Sequence, residues 1–286
     1  MKQIILKEPV TPILGKNPFG GEAWIMFEPM PNGERGIFWK IPTSKKNTYK
    51  YIPIDYRIAK ISKLHNIYLQ YGKKKLFIYE HIGALRFTGL DSIAISASTW
   101  PPYLTSGTMF EKIMEHAEIT NNEVPYLSFI NSYGPLSLRE NGLYKFVEIR
   151  PANHEVTKLN VSIDYKKLSV KGRARRTVTD ELIAEIFPVG PQGISNLFKF
   201  ISRLFNLEYH KIVVWPDEEI SPDELQRKFL SHTMVDRLGE ISLFSHYMLP
   251  SCEIKTQCAG HRMVFEAMKI ITERENICTP VTDFVY

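Results

Sequence analysis

The sequence predicts an α+β protein: two sheet-and-helix domains of similar topology packed face to face, with the active site in the seam. Three observations lead there. Segments with strand-like alternation and segments with helical spacing occur in blocks rather than in strict βαβ succession. Each half of the chain follows the same coarse order, strands, helix, strands, helix, although no repeat is visible residue by residue. With 286 residues, 44% hydrophobic and 12% aromatic, the chain can build cores for two domains of ordinary size. The expected division is residues 1–124, a linker at 125–139, and residues 140–286.

In the first half, EAWIMFEPMP and GERGIFWKIP read as strands around a turn at Pro31-Asn32-Gly33. NIYLQYG, KKLFIYE and SIAISAS continue the strand pattern, and IYEHIGALRFTGL between them reads as a short helix. After the Pro-rich TWPPYLTSG, the stretch TMFEKIMEHAEI has helical spacing, with Phe110, Ile113, Met114 and Ala117 on one face. NNEVPYLSFINSYGP reads as the linker. The second half opens with strands LYKFVEIRP and LNVSIDY, followed by helical DELIAEIF and SNLFKFISRLFNL and strand KIVVWP. The long helical segment DELQRKFLSHTMVDRLGEISLFSH comes next, then strand-like CEIKTQCAG and the final helix HRMVFEAMKIITERE.

Bulk composition narrows the function classes. A charged share of 23% is that of a globular protein rather than a disordered one. No apolar run approaches the roughly 18–20 residues of a membrane span. MKQIILKEPV lacks the form of a secretory signal, so the expected location is the cytoplasm. Cys252, Cys258 and Cys278 form no CxxC and read as free thiols in a reducing compartment; Cys252 and Cys258 are metal ligands only in principle. The formal net charge of +5 comes largely from KKNTYK, GKKK and KGRARR. These runs lack the aromatics and recognition helix of a nucleic-acid binder, so no nucleic-acid partner is expected. They read as solvated loop faces, or as contacts to the phosphates of an anionic substrate.

The chemistry-bearing residues stand in three places. In HTMVDRLGEI, His232 and Asp236 are four residues apart, so on a helix an imidazole and a carboxylate share one face and can grip one metal ion. HxxxD by itself is common by chance and serves equally as a surface or satisfied pair. Val235, Leu238, Ile241 and Leu243 make the same helix part of a core, so Asp236 needs a cation or hydrogen-bond partner to offset its burial. Glu80-His81 sits where a strand gives way to a helix, an arrangement suited to one base and one ligand. His261 opens the last helix, where the helix N-terminus lowers an imidazole's pKa. His65, His116, His154, His210 and His246 have no such setting and read as surface or structural residues.

In their order along the chain these pieces resemble the UDP-3-O-acyl-N-acetylglucosamine deacetylases, zinc amidases of lipid A synthesis in Gram-negative bacteria. YEHIGALRFTGLDSIAIS is similar to the family's EHL…AL…LGIDN segment, FLSHTMVDRLGEISL to its RHK-x-x-D-x-IGDL helix, and AGHRMVFEAM to its SGH-x-LN segment. EPMPNGERGIFW and IRPANHEVTKLNVSIDY carry weaker likeness, in the same order. The resemblance implies that His81, His232 and Asp236 hold Zn2+, or Fe2+, with no other cofactor. It further implies that Glu80 is general base on the attacking water and that Thr177, in RRT, stabilises the oxyanion. His261 would protonate the departing amine, with Glu240 behind it where the family has aspartate. The implied substrate is an acylated nucleotide sugar, hydrolysed by a cytoplasmic enzyme that works as a monomer.

The departures fall on substrate recognition. Thr233 stands where the family has lysine, and Asn17-Pro18-Phe19-Gly20-Gly21 replaces its glycine-histidine-glycine motif. Pro102-Tyr103-Leu104-Thr105-Ser106-Gly107 lacks the family's aspartate, Val178 replaces a phenylalanine, and SNLFKFISRLFNL occupies the acyl-passage region. These changes leave two functions open: a hydrolase with a shifted substrate, or a divergent paralogue that binds a sugar nucleotide or lipid without turnover.

Overall fold

The computed structural model describes residues 1–17, 19–62, 67–77, 83–102, 104–128, 136–140, 144–152, 155–165, 170–189, 221–244 and 248–275. Glu80 and His81 therefore lie outside the described residues, as do SNLFKFISRLFNL and strand KIVVWP. The protein is α+β, with several sheets and helices.

The chain begins with β1 (Lys2–Leu6), then forms the hairpins β2 (Ile13–Lys16)–β3 (Glu22–Pro29) and β4 (Ile37–Pro42)–β5 (Tyr49–Pro53). A small antiparallel sheet follows, made of β6 (Ala59–Ile61), β7 (Ile67–Tyr71) and β8 (Lys74–Phe77). A 3-10 helix at Leu85–Thr88 leads into β9 (Ile93–Ala97), and the helix α1 (Ser106–Met114) comes after it. β9 enters between the hairpins, antiparallel to β3 and parallel to β4, which gives the order β2-β3-β9-β4-β5.

The second half repeats this scheme. After β10 (Ala117–Glu123), which pairs with β1, and the short β11 (Tyr126–Ser128), come hairpins β12 (Leu136–Glu140)–β13 (Lys145–Pro151) and β14 (Thr157–Tyr165)–β15 (Val170–Thr177). Helices α2 (Asp180–Ile186) and α3 (Pro222–Ser242) precede β16 (Leu249–Gln257), and α4 (His261–Glu275) follows it. β16 lies antiparallel to β13 and parallel to β14, giving β12-β13-β16-β14-β15, with β11 added along the first residues of β16. The five-stranded sheet and the five main strands of the six-stranded sheet thus share one topology: hairpin, hairpin, and a late strand inserted between them.

Alternation along the strands sorts side chains to two faces. Ile25 and Phe27 of β3, Ile37, Trp39 and Ile41 of β4, and Ile93 and Ile95 of β9 point to one core. Val147, Ile149, Leu159, Val161 and Ile254 do the same in the second sheet, and Met234, Val235, Leu238 and Ile241 of α3 join both sets in one continuous cluster. Each fully buried side chain of this size contributes roughly 1.5–3 kcal/mol. Backbone bonds tie the halves as well: Tyr56 N–H donates to the Leu243 carbonyl at 2.7 Å, and Leu249 N–H to that of Pro125 at 2.8 Å.

A buried carboxylate organises the first sheet. Asp91, 2% exposed, accepts from the Gly36 N–H at 2.5 Å, Arg35 Nε at 2.8 Å, the Ser92 N–H at 2.9 Å and Gln3 Nε2 at 3.1 Å. It thereby fixes β1 and the entry to β4 at the start of β9.

Several expectations need correction. TMFEKIMEHAEI is helical only through Met114; its last residues, Ala117 to Ile119, begin β10, and Met109 and Ile113 rather than Phe110 and Met114 are its fully buried positions. The stretch read as a linker contains β11 and the start of β12. KGRARR is not a loop but the middle of β15, an edge strand whose exposed Lys and Arg side chains guard against edge-to-edge pairing. Among the described residues no helix is long and apolar enough to cross a membrane.

Candidate functional site

Helix α3 presents three of the seven candidate residues, His232, Asp236 and Glu240, and its sequence explains why it forms. The Ser221 hydroxyl caps it by accepting from the Glu224 N–H at 3.2 Å, Pro222 opens the first turn, and Asp223 and Glu224 complement the helix N-terminus. From Ser231 to Ser242 every residue is buried, so the half carrying His232, Asp236 and Glu240 is surrounded by protein.

His232 Nε2 and Asp236 Oδ2 lie 3.3 Å apart, at 7% and 6% exposure. Two ligands of one tetrahedral zinc, each about 2.0–2.1 Å from the ion, stand about 3.3–3.4 Å from one another. The pair therefore fits two corners of such a site; a direct imidazolium–carboxylate pair has the same separation. One turn on, Glu240 is fully buried and its Oε1 lies 2.7 Å from Nδ1 of His261, the first residue of α4. With Glu240 ionised, Nδ1–H donates, which fixes the ring's tautomer and orientation.

Arg237 is a component that the sequence reading missed. It is 2% exposed, with Nη1 3.0 Å from Glu240 Oε2 and Nη2 4.0 Å from Asp236 Oδ2. Among the described residues neither Nη1 nor Oε2 makes a well-directed hydrogen bond, so the contact with Glu240 is held by charge. The one available signal was its spacing, adjacent to Asp236 and three residues before Glu240.

These groups converge on a cavity of about 420 Å³ lined by His232, Thr233, Asp236, His261, Tyr165 and Cys258, among others. Burial, and then the negative charge of Asp236, push the Tyr165 phenol above its usual range. Cys258 is a free thiol pushed up by burial, and Cys252, also free, is buried inside β16.

Of the residues singled out in the sequence, His232, Asp236 and His261 meet at this cavity, with Glu240 directly behind His261. Thr177 does not join them. It is exposed, opposite Lys158, whereas the cavity uses Ser162 to Tyr165 of β14, whose partners are Arg173 to Val170. Four residues of strand, roughly 13 Å, separate Thr177 from Arg173. The RRT match picked out the end of a strand that leads away from the site. Glu80 and His81 lie outside the described residues, but the segment after them resumes at Gly83, packed on α3. A Cβ on Gly83 would lie 2.7 Å from the Gly239 carbonyl and 2.8 Å from Ser242 Oγ. Only glycine permits that approach, one turn of helix from Asp236.

Among the described residues no three His, Cys, Asp or Glu side chains form a metal-ligand group; to hold a metal ion, His232 and Asp236 would require a third ligand from outside them. Of the remaining histidines, His116 pairs with Glu8 at 2.9 Å near the surface, and His65, His154, His210 and His246 lie outside the described residues. Compared with known proteins, the chain matches no family model and no curated protein.

Proposed function

We propose that this chain is a zinc-dependent N-deacetylase that hydrolyses the acetamide of an acylated UDP-N-acetylglucosamine or a related amino sugar. The observation that carries the reading is the meeting of two pairs at one cavity: His232 with Asp236 at metal-ligand spacing, and His261 with Glu240 at hydrogen-bond distance. The ligand set is His81, His232 and Asp236, a nitrogen–nitrogen–oxygen set that suits Zn2+ and also Fe2+. The metal, when bound, supplies a Lewis acid for the acetamide carbonyl.

The side chains divide the proton work. Glu80 takes the proton of the attacking water, and His261 gives a proton to the departing amine. Glu240 holds the His261 ring through Nδ1, making Nε2 the proton-delivering position, and stabilises the imidazolium by charge. Arg237 faces the other carboxylate oxygen of Glu240 at 3.0 Å, which holds that side chain in place behind His261. Thr177 is given no part, because the cavity is built from the other end of its hairpin. Thr233, whose hydroxyl donates to the Phe229 carbonyl at 2.8 Å, supplies no cation beside the ligand, in keeping with a substrate different from the family's own. Work as a monomer in the cytoplasm, on a lipid A precursor or a related amidated sugar, belongs to the same proposal.

Thr177's position favours a second reading, a paralogue that binds the sugar nucleotide without turnover. Incubation of the protein with acylated UDP-N-acetylglucosamine and with simple acetamido sugars, followed by amine detection, separates the two. The deacetylase reading expects release of acetate that falls by roughly 10²-fold or more in His261→Ala. Saturable binding with no acetate from any acetamido sugar sinks it in favour of the binding paralogue.

A further inference from the structure

The outer face of the first five-stranded sheet is a second place where ligand chemistry gathers. A solvent-facing sheet surface ordinarily alternates to polar residues. Here it carries Trp24 at 40% exposure and Tyr49 at 46%, with Met26 two residues from Trp24 on the same face of β3. These side chains wall a cavity of about 720 Å³, within the size range of small-molecule sites. The turn between β7 and β8, with the first residues of β8, brings Lys73, Lys74 and Lys75 into the cavity's lining. Gly72 makes that turn with φ of +56°, a conformation that favours glycine.

The basic and aromatic groups are held in place differently. Lys40 is neutralised by both oxygens of Glu28, at 2.8 and 2.7 Å, and its ammonium sits 4.2 Å from the Tyr49 ring centre, which steadies that ring. Lys74 Nζ donates to the Pro42 carbonyl at 2.5 Å, pinning the β7–β8 turn over the end of β4. Among the described residues no carboxylate pairs with Lys73, Lys74 or Lys75. The Lys75 ammonium lies 5.2 Å from the Tyr68 ring centre, and the three lysines bring positive charge to one turn without a carboxylate among the described residues to balance it.

We propose that this cavity binds a nucleoside phosphate, with the base against Trp24 and the phosphates at Lys73–Lys75. Aromatic faces accept any base by stacking. The three lysines are consecutive at one turn, as a single diphosphate requires, rather than spaced along a track, as a nucleic-acid strand requires. The site shares no lining residue with the cavity at His232, so it stands independently of the deacetylase reading.

The test is calorimetric titration of the full chain, with tryptophan fluorescence in parallel, using ADP, adenosine, inorganic pyrophosphate and a thymidine 15-mer as probes. ADP is expected to bind with Kd on the order of 10–100 µM, with adenosine and pyrophosphate each roughly tenfold weaker. Trp24→Ala and the double variant Lys73→Glu/Lys75→Glu change exposed side chains, so each is expected to keep its melting temperature while weakening ADP by roughly tenfold. Pyrophosphate binding as tightly as ADP reduces the site to a cation patch and overturns the proposal. So does a preference for the 15-mer, ADP binding indifferent to both variants, or no saturable binding at millimolar ADP.

Discussion

Glu240 Oε1 and His261 Nδ1 lie 2.7 Å apart, a hydrogen bond that joins the buried half of α3 to the first residue of α4. Glu240 also faces Arg237 at 3.0 Å, so one fully buried carboxylate serves an imidazole and a guanidinium. Removing it strands Arg237 in the core. Glu240→Ala is expected to lose about 3–5 kcal/mol in urea unfolding. Glu240→Gln keeps the volume and an acceptor for His261, and is expected to lose less. Equal losses in the two variants would show that the charge of Glu240 is immaterial.

Gly83 sets the distance between α3 and the segment that follows Glu80-His81. Gly83→Ala places a Cβ 2.7 Å from the Gly239 carbonyl, so the backbone must move, at a cost of about 1–3 kcal/mol. A thermal melt of the variant beside the parent measures this. An unchanged melting temperature would mean that the helix and this segment are not closely apposed.

Asp91 accepts from two backbone N–H groups and two side chains while nearly inaccessible to solvent. Asp91→Ala leaves those donors unmatched and is expected to destabilise the protein by about 3–5 kcal/mol in chemical denaturation. Asp91→Asn retains an acceptor and is expected to fall between that variant and the parent.

Cys252 offers a pH signature. Burial inside β16 pushes its thiol up to about 12, from an ordinary value near 9. Below pH 9 both folded and unfolded chains keep the proton, and the contribution is fully present. Above it the unfolded chain ionises first and binds fewer protons, so stability falls as pH rises toward 12. At pH 10.5 the loss from this group is about 2 kcal/mol. Cys252→Ala is expected to flatten that part of the stability–pH curve, and the parent's Cys252 is expected to resist thiol reagents until unfolding. Rapid labelling of Cys252 in the folded protein would contradict its burial.

The fold was legible where one physical signal dominated. Alternation in EAWIMF reports a strand that is half core and half solvent, and the helical spacing from Asp223 onward marks α3. β15 was not legible, because an edge strand with one exposed face can be mostly Lys and Arg; only its pairing with β14 makes KGRARR a strand. The shared topology of the two sheets appeared in the sequence only as coarse rhythm, since pairing order depends on contacts between distant residues. In the site, i,i+4 spacing found His232 and Asp236, and colinear order found Glu240 and His261. Arg237 escaped because a charged residue amid charged residues gives no sign of burial, and Thr177 misled because two residues of likeness say nothing about which end of a hairpin faces a cavity.

Metal content tests the central claim most directly. Protein purified without chelator, and reconstituted with Zn2+ after stripping, is expected to hold about one ion per chain. His81→Ala, His232→Ala and Asp236→Ala are each expected to bind at least roughly tenfold more weakly, while Glu80→Ala keeps the ion and loses turnover. Circular dichroism of each variant guards against simple unfolding. A folded parent that takes up no zinc or iron, or folded His232→Ala and Asp236→Ala variants that bind the ion as the parent does, would contradict the account.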